Sequence, residues 1–405
     1  MPHLRIAHVT EHYYPHLGGV CEHVHYLARE CRRLGHQVDV ITGNMPGAEP
    51  EPHVIRFGQS HPMACNGSLA RVTLGRGLRD ALRRILRDGR YDVVHVQAPL
   101  MPVLGLVALE EARNAGCAVV GTFHAYFDYS VAYALAPRYF RRRAELMDAA
   151  IAVSPSVIQA HRRYFDCGAW QIIPNGIDPT VFHPDVPPPP GWAGRGGGDD
   201  DRPTILFLGR FDRRNNFPTL YHAFRRVRSR RRQARVVAVG DGPLRQQWRG
   251  VAGGDPDVTF TGPVPGEHRP GYYAHSSIYA CPTITGASFG ITLLESMAVG
   301  TPVACSDITG FRNVVRHGCE ALLSPAEDAA ALADSLVRLL DDPDLRARLG
   351  HAGRARALEY GWPRVAQQVL AVYDRVLGRS AAAAAAATPA AGRPAPDDAE
   401  ESDAA

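Results

Sequence analysis

The chain of 405 residues is 45% hydrophobic and 21% charged, enough for two cores of ordinary domain size and too apolar for a chain disordered throughout. All 45 basic residues are arginine, which excludes Schiff-base and pyridoxal-phosphate chemistry on a lysine and a phosphate loop that depends on one. The formal net charge is +4, and because residues 379–405 carry five acids and two arginines the remainder carries +7, a bias that suits anionic ligands rather than bulk nucleic acid.

No stretch approaches the roughly 18–20 uninterrupted apolar residues of a membrane span, and Met1-Pro2-His3-Leu4-Arg5 runs into a strand pattern rather than a signal peptide, so a cytosolic protein is expected. Leu4–Val9 is the first predicted strand; Gly18-Gly19 follow, then an amphipathic helix with Val20, Val24, Leu27, Cys31 and Leu34 on one face. Gly35-His36 ends that helix, and Val38–Thr42 is the next strand. The opening is repeated in kind by the strand Val93–Val96, a helix around Val103–Ala115, and the strands Val119–Phe123 and Ala150–Val153. Residues 186–203 are too rich in Pro, Gly and Asp to pack and read as an exposed linker. Beyond them Ile205–Leu208, Arg235–Val239, Val258–Phe260, Ile278–Cys281 and Pro302–Cys305 are strands separated by helical patterns. The expected organisation is α/β: two facing, Rossmann-like, doubly wound domains over 1–185 and 204–361 with a cleft between them. A helix over 362–378 should pack back on the N-terminal domain, and the Ala-rich tail 379–405 is too simple in composition to order. Eight scattered cysteines without a C-x-x-C read as reduced, buried small hydrophobes.

In a doubly wound sheet, ligands bind beyond the carboxyl ends of the strands, where helix N-termini offer N–H groups to anions. Three loops have that form: His16-Leu17-Gly18-Gly19-Val20, Gly240-Asp241-Gly242-Pro243, and Gly286-Ala287-Ser288-Phe289-Gly290-Ile291-Thr292, which opens the helix containing Glu295. Paired glycines in a strand-to-helix turn usually serve the turn itself, so each loop alone is a weak signal, and their recurrence at equivalent strand ends is what gives them weight.

Through Gly18-Gly19-Val20, Pro174-Asn175-Gly176-Ile177-Asp178, Gly209-Arg210, Gly240-Asp241-Gly242-Pro243 and Ser288-Phe289-Gly290 with Glu295-Ser296-Met297-Ala298, residues 4–378 resemble the family-4 retaining glycosyltransferases of the GT-B fold. Asn66-Gly67-Ser68-Leu69-Ala70-Arg71 and Gly121-Thr122-Phe123-His124 make the chain most similar to the bacterial phosphatidylinositol mannosyltransferases. The resemblance implies metal-independent transfer, with retained configuration, of a hexose from a nucleotide sugar to an acceptor hydroxyl, lipid-linked or polyol. GDP-mannose is the first expectation, ahead of another nucleoside-diphosphate hexose. No metal, organic cofactor or nucleic-acid partner is implied. Carried over by position, Glu295 would hold the ribose hydroxyls, Arg210 would neutralise the diphosphate, and Ser288, Phe289, Gly290, Ile291 and Thr292 would meet phosphate and sugar, with Gly240, Asp241 and Gly242 on the same side. Gly19 would approach the diphosphate from across the cleft, and His124 would lie beside the anomeric carbon; Arg210 and His124 are the candidate catalytic residues.

Two departures fall in the donor pocket. The family's pattern has two glutamates eight positions apart, the first of which is Ala287 here, and a lysine five residues after the arginine, which is Asn215. Losing one carboxylate and one ammonium together preserves the pocket's net charge. On the acceptor side His12 and His16 replace the relatives' Tyr and Asp, and Tyr129 replaces a lysine. A non-catalytic sugar-nucleotide or lipid-binding relative, and a soluble glycosyltransferase acting on a small metabolite, are therefore alternatives.

A helix over Arg76–Arg87 would turn Leu78, Leu82, Ile85 and Leu86 inward and Arg76, Arg79, Arg83 and Arg87 outward, a pattern that fits an anionic membrane at the inner face of the cell membrane or equally a solvated helix face. The run Arg225–Arg235 reads as a solvated helix end, since no aromatics interleave it, and Asp199-Asp200-Asp201 as linker solvation rather than a metal site.

Overall fold

Each of the ten predicted apolar runs becomes a strand, because a run of three to six largely apolar residues between turn residues finds its burial most readily inside a parallel sheet. The computed structural model describes residues 3–16, 18–65, 68–192, 202–231 and 233–378; Asn66, Gly67, Asp199-Asp200-Asp201 and the tail lie outside these.

In chain order the N-terminal half comprises β1 (Arg5–Val9), α1 (Gly19–Arg33), β2 (Gln37–Asn44), β3 (Val54–Cys65), β4 (Ser68–Leu74), α2 (Leu78–Gly89), β5 (Val93–Gln97), α3 (Leu104–Asn114), β6 (Ala118–Phe123), α4 (Val131–Leu135), α5 (Pro137–Ala144), β7 (Ala149–Ala152), α6 (Pro155–Arg162) and β8 (Trp170–Ile172). The C-terminal half comprises β9 (Thr204–Leu208), α7 (Phe217–Arg230), β10 (Arg235–Val239), α8 (Arg245–Ala252), β11 (Val258–Gly262), α9 (Arg269–Ala274), β12 (Ile278–Cys281), α10 (Ile291–Ala298), β13 (Val303–Ser306), α11 (Thr309–Arg312), β14 (Ala321–Ser324), α12 (Ala329–Asp341), α13 (Pro343–Leu358) and α14 (Trp362–Val376). The strand orders are β4-β3-β2-β1-β5-β6-β7-β8 and β11-β10-β9-β12-β13-β14, parallel except where β4 turns back on β3. In each sheet the order reverses beside the first strand, between β1 and β5 and between β9 and β12. Neighbouring connections there leave to opposite faces and open a crevice at the strands' carboxyl ends.

The last helix belongs by packing to the first sheet. Trp362, Val365, Val369 and Tyr373, three or four residues apart, bury themselves among Val24, Leu27 and Cys31 of α1. Each such side chain contributes about 1.5–3 kcal/mol by leaving water. The chain returns there beside Pro174–Asp178: Ile177 N donates to Tyr360 O at 2.9 Å and Trp362 N to Ile177 O at 3.2 Å.

The structure corrects several expectations. The segment read as an exposed linker is partly packed, because Pro189 is buried and Trp192 lies edge-on to Tyr272 at 5.5 Å, beneath the guanidinium of Arg235. Arg235 is accordingly no part of a solvated helix end; it sits buried in β10 and donates to Thr204 at 2.9 Å. Leu34 falls after α1 and is exposed, and so is Cys319, unlike the buried Cys21, Cys31, Cys117, Cys281 and Cys305. Arg76 precedes α2, whose Leu78, Leu82 and Leu86 are buried in the protein's own core. Arg79 and Arg83 do not stand free: Arg79 pairs with Glu110 at 2.5 Å and Glu111 at 2.7 Å, and Arg83 with Glu111 at 2.8 Å. Among the described residues no helix is long and apolar enough to cross a membrane.

Candidate active site

The C-terminal crevice holds a cavity of about 190 Å³. Leu208, Gly209 and Arg210 enter it from the end of β9, Cys281 and Thr283 from the end of β12, and Gly290 and Thr292 from the start of α10. Two guanidiniums line it, Arg210 and Arg214, held near one buried carboxylate: Asp212 Oδ2 lies 3.7 Å from Arg210 Nε and 3.8 Å from Arg214 Nη2. Arg214 Nε has no hydrogen-bond partner among the described residues. Two cations share one anion, so the cavity has a net positive field ready for a second anion. Asn215 and Ala287, the two departures, both line this cavity. Asn215 is fixed by donating to Arg210 O at 2.7 Å and accepting from Thr283 at 3.2 Å, which ties it to the loop that carries Arg210.

The glycine loop after β10 serves that loop from behind. Gly240 has φ 131°, and a Cβ there would lie 2.0 Å from Gly209 O; Phe211 N donates to Asp241 O at 2.9 Å. Gly240, Asp241 and Gly242 do not line the cavity, and the Asp241 side chain is exposed beside Arg245 at 3.4 Å. Gly240 and Gly242 thus support the loop that carries Arg210 by packing directly on the Gly209–Phe211 backbone.

Gly290, with φ 98°, caps α10, whose Ile291 and Thr292 N–H groups precede the first bond of the helix, Leu293 N to Gly290 O at 3.0 Å, and carry the positive end of the helix dipole. The loop before it also closes the cleft. Ser288 accepts from Tyr126 N at 2.7 Å through its hydroxyl and from Ser154 Oγ at 2.6 Å through its carbonyl. Phe289 is buried against Tyr360. Across the cleft, a Cβ on Gly19 would lie 2.8 Å from Ile291 Cδ1, so a side chain here would have to displace the tip of Ile291.

Glu295 is not open to the cavity. It is buried on the inner face of α10, accepts from Tyr273 Oη at 2.8 Å, and pairs with Arg269, which pairs in turn with Glu22 of α1 at 2.8 Å. Burial pushes the Glu295 carboxyl up, and Arg269 pulls it down in opposition. A buried Glu22–Arg269–Glu295 bridge therefore spans the halves behind the cavity.

The N-terminal crevice is lined by imidazoles. His124 follows β6, and its Nε2 meets Gln97 Oε1 at 2.8 Å; with that oxygen as acceptor, Nδ1 is the free lone pair of the neutral ring. Its ring stands edge-on to His23 at 4.8 Å, and His23 is held by Asn175 at 2.9 Å. His12 and His16 lie 5.8 Å apart. Burial lowers all four: His12 and His23 to about 4, His124 well below the usual imidazole range, and His16 in the same direction with help from Arg71 and Arg210. Tyr129 sits apart, 63% exposed on the outer surface. Glu11, absent from the sequence reading, is buried at the end of β1, accepts from Thr73 Oγ1 at 2.5 Å and Leu104 N at 3.1 Å, and is raised by burial to about 7.

The structure thus brings Arg210, Gly290 and Thr292 to one cavity, with Gly19 and Ile291 meeting across the cleft and His12, His16 and His124 in the facing crevice. Arg214 and Arg269 went unrecognised, one merged into an ordinary Arg-Arg pair and the other in a stretch with no motif. Among the described residues no group of three His, Cys, Asp or Glu side chains could hold a metal ion.

Two doubly wound domains facing each other across such a cleft define the GT-B fold, the architecture of a large class of glycosyltransferases. Residues 17–181 match the model of Glycosyltransferase Family 4 and residues 202–342 that of Glycosyl transferases group 1. A phosphatidyl-myo-inositol mannosyltransferase of Mycobacterium leprae is 34% identical over 92% of this chain and 97% of its own. A GDP-mannose-dependent alpha-mannosyltransferase of Mycolicibacterium smegmatis is 29% identical over 94% of this chain and 100% of its own. Among solved structures, sucrose-phosphate synthase from Thermosynechococcus elongatus superposes with TM-score 0.72 at 23% identity, over 92% of this chain and 99% of that one. The chain belongs to glycosyltransferase family 4.

Proposed function

We propose that this glycosyltransferase moves mannose from GDP-mannose, with retained configuration and without a metal, to a hydroxyl of a lipid-linked or polyol acceptor. The observation that carries the reading is the pair Arg210 and Arg214 beside the α10 N-terminus, facing neutral His124 across the cleft. As the bond from the anomeric carbon to the diphosphate breaks, negative charge grows on the departing phosphate; the fixed guanidiniums and free N–H groups meet it with little reorganisation. Arg214 supplies the second cation that Asn215 lacks. The neutral His124 ring can accept a hydrogen bond at Nδ1 without adding a positive charge beside an oxocarbenium-like sugar. Glu295 reaches a ribose only when Arg269 releases it, so donor binding is coupled to the bridge to Glu22. The relatives' names support mannose, GDP and a phosphatidylinositol-type acceptor.

Incubation of the purified protein with GDP-, UDP- and ADP-sugars, reading thermal shift and slow release of nucleoside diphosphate, tests the donor. GDP-mannose should give the largest shift and measurable hydrolysis, and proton NMR of a transferred product should show the donor's anomeric configuration. Ala287, which leaves the cavity without a carboxylate to meet a sugar hydroxyl, favours a second reading as a sugar-nucleotide-binding relative; tight binding with no turnover on any donor would establish it.

A further inference from the structure

The described residues line a second cavity, of about 260 Å³, beside the one that holds Arg210. Thr285, Gly286 and Ala287 line both, so this part of the loop between β12 and α10 is their common wall, and it bears nothing longer than a threonine side chain. On the donor side Arg214 lies against the wall: a Cβ on Gly286 would lie 3.0 Å from Arg214 Nη1. On the far side stand Asp307, which follows β13, and Arg312 of α11, with Tyr126 entering from the N-terminal half. Backbone contacts fix that far side. Asp307 N donates to Ser324 O at 2.7 Å, and Gly310 fits so closely that a Cβ there would lie 1.8 Å from Ala287 O.

The two cavities differ in charge. The first has two guanidiniums to one carboxylate, whereas in the second Arg312 and Asp307 cancel in a two-pronged pair, Nε to Oδ1 at 2.5 Å and Nη2 to Oδ2 at 2.7 Å. A neutral pair of this kind does not attract a second anion. It suits hydroxyl groups, because each carboxylate oxygen keeps a lone pair and Arg312 keeps its Nη1 donors, so acceptors and donors stand side by side. The bonds from Arg312 hold the Asp307 carboxyl below the usual carboxylate range, so it stays an acceptor at neutral pH.

We infer that Asp307, oriented by Arg312, binds hydroxyls of the hexose in transfer and so supplies the carboxylate that Ala287 lacks. The inference rests on the proposed use of a nucleotide sugar and says where its sugar lies. With the diphosphate against Arg210, Arg214 and the start of α10, the hexose reaches past Gly286 and Ala287 toward Asp307. A glutamate at 287 would stand in that path and set a second carboxylate beside the first, which gives the alanine a physical reason.

The test is calorimetry on the full chain with GDP, GDP-mannose and its 2-, 3- and 4-deoxy analogues, and with UDP and UDP-glucose. Asp307→Ala should weaken GDP-mannose by about tenfold or more and leave GDP within about twofold, the unchanged GDP affinity showing that the variant is folded. One deoxy donor should bind wild type about tenfold more weakly than GDP-mannose, and Asp307→Ala should no longer tell the two apart. Arg312→Ala breaks the same bridge but keeps the carboxylate, so its loss should be smaller than that of Asp307→Ala. Adding Ala287→Glu to Asp307→Ala should regain part of the lost affinity. The inference is overturned if Asp307→Ala weakens GDP and GDP-mannose alike or neither, if Arg312→Ala costs as much, if no deoxy donor separates wild type from Asp307→Ala, or if the double variant regains nothing. The same selective loss with UDP-glucose in place of GDP-mannose would uphold the role of Asp307 and remove the mannose reading, and a chain that binds no nucleotide sugar would remove both.

Discussion

The same doubly wound sheet is used twice, and the two crevices at its switch points are chemically opposite. The C-terminal one has two guanidiniums around a single carboxylate, with a helix N-terminus beside them. The N-terminal one is lined by histidines that burial keeps neutral, and by Glu11, which burial pushes toward protonation. One architecture therefore supplies a fixed positive field where a diphosphate would leave and an uncharged hydrogen-bonding wall where a hydroxyl would enter. The difference comes from residue type at equivalent strand ends rather than from topology.

The contact that joins the two regions should give the largest effect. Arg269→Ala leaves Glu22 and Glu295 without their shared cation and should cost about 3–5 kcal/mol in urea unfolding; a loss below ~1 kcal/mol would show that the bridge does not hold the halves together. Next, Arg210→Ala should lower kcat by about 10²–10³ with a much smaller change in KM, because the charge it meets grows in the transition state. An effect confined to KM would reduce the C-terminal field to ground-state binding.

The N-terminal wall makes a prediction in pH. His8, fully buried with neither ring nitrogen hydrogen-bonded among the described residues, is lowered to about 3, and His12 and His23 to about 4. A depressed imidazole binds fewer protons folded than unfolded, so its contribution is complete above the ordinary value near 6.5 and is lost as pH falls toward the folded value. Stability should thus fall steeply from pH 6.5 to 4.5, and His8→Leu should recover about 2–3 kcal/mol at pH 4.5, measured by chemical denaturation. Glu11 has the opposite sign. Raised to about 7, it contributes fully below about 4.5 and loses that contribution as pH rises from there through 7, so Glu11→Gln should remove a decline in stability confined to that window.

The smallest expected effect is the coupling inside the C-terminal cavity. Ala287→Glu alone should reduce activity, and adding Asn215→Lys should restore part of it, with a coupling energy of about 1 kcal/mol in a double-mutant cycle. Additive effects in an active enzyme would show that the two positions do not act on one shared pocket.

The ten apolar runs and the glycine-rich turns were legible because parallel strands carry their signal locally, in composition and length. The β3–β4 hairpin was not, since Gly58 and Pro62 interrupt its pattern and its pairing is settled by the partner strand. Arg210 was visible through its motif. Arg214 was hidden because nothing in an Arg-Arg pair says which side chain a turn will aim inward.

What the sequence determined alone was the class of fold and the family, since both rest on repeated short patterns whose physics acts within ten or so residues. Tertiary structure decided the rest: that Gly240 buttresses a loop, that Glu295 is tied to Arg269, that Arg79 and Arg83 of α2 are paired with the acids of α3, and that apolar side chains on α4 and α5 stay in water. These depend on where a side chain's charge or surface meets a residue distant in the chain, and no local pattern carries that information.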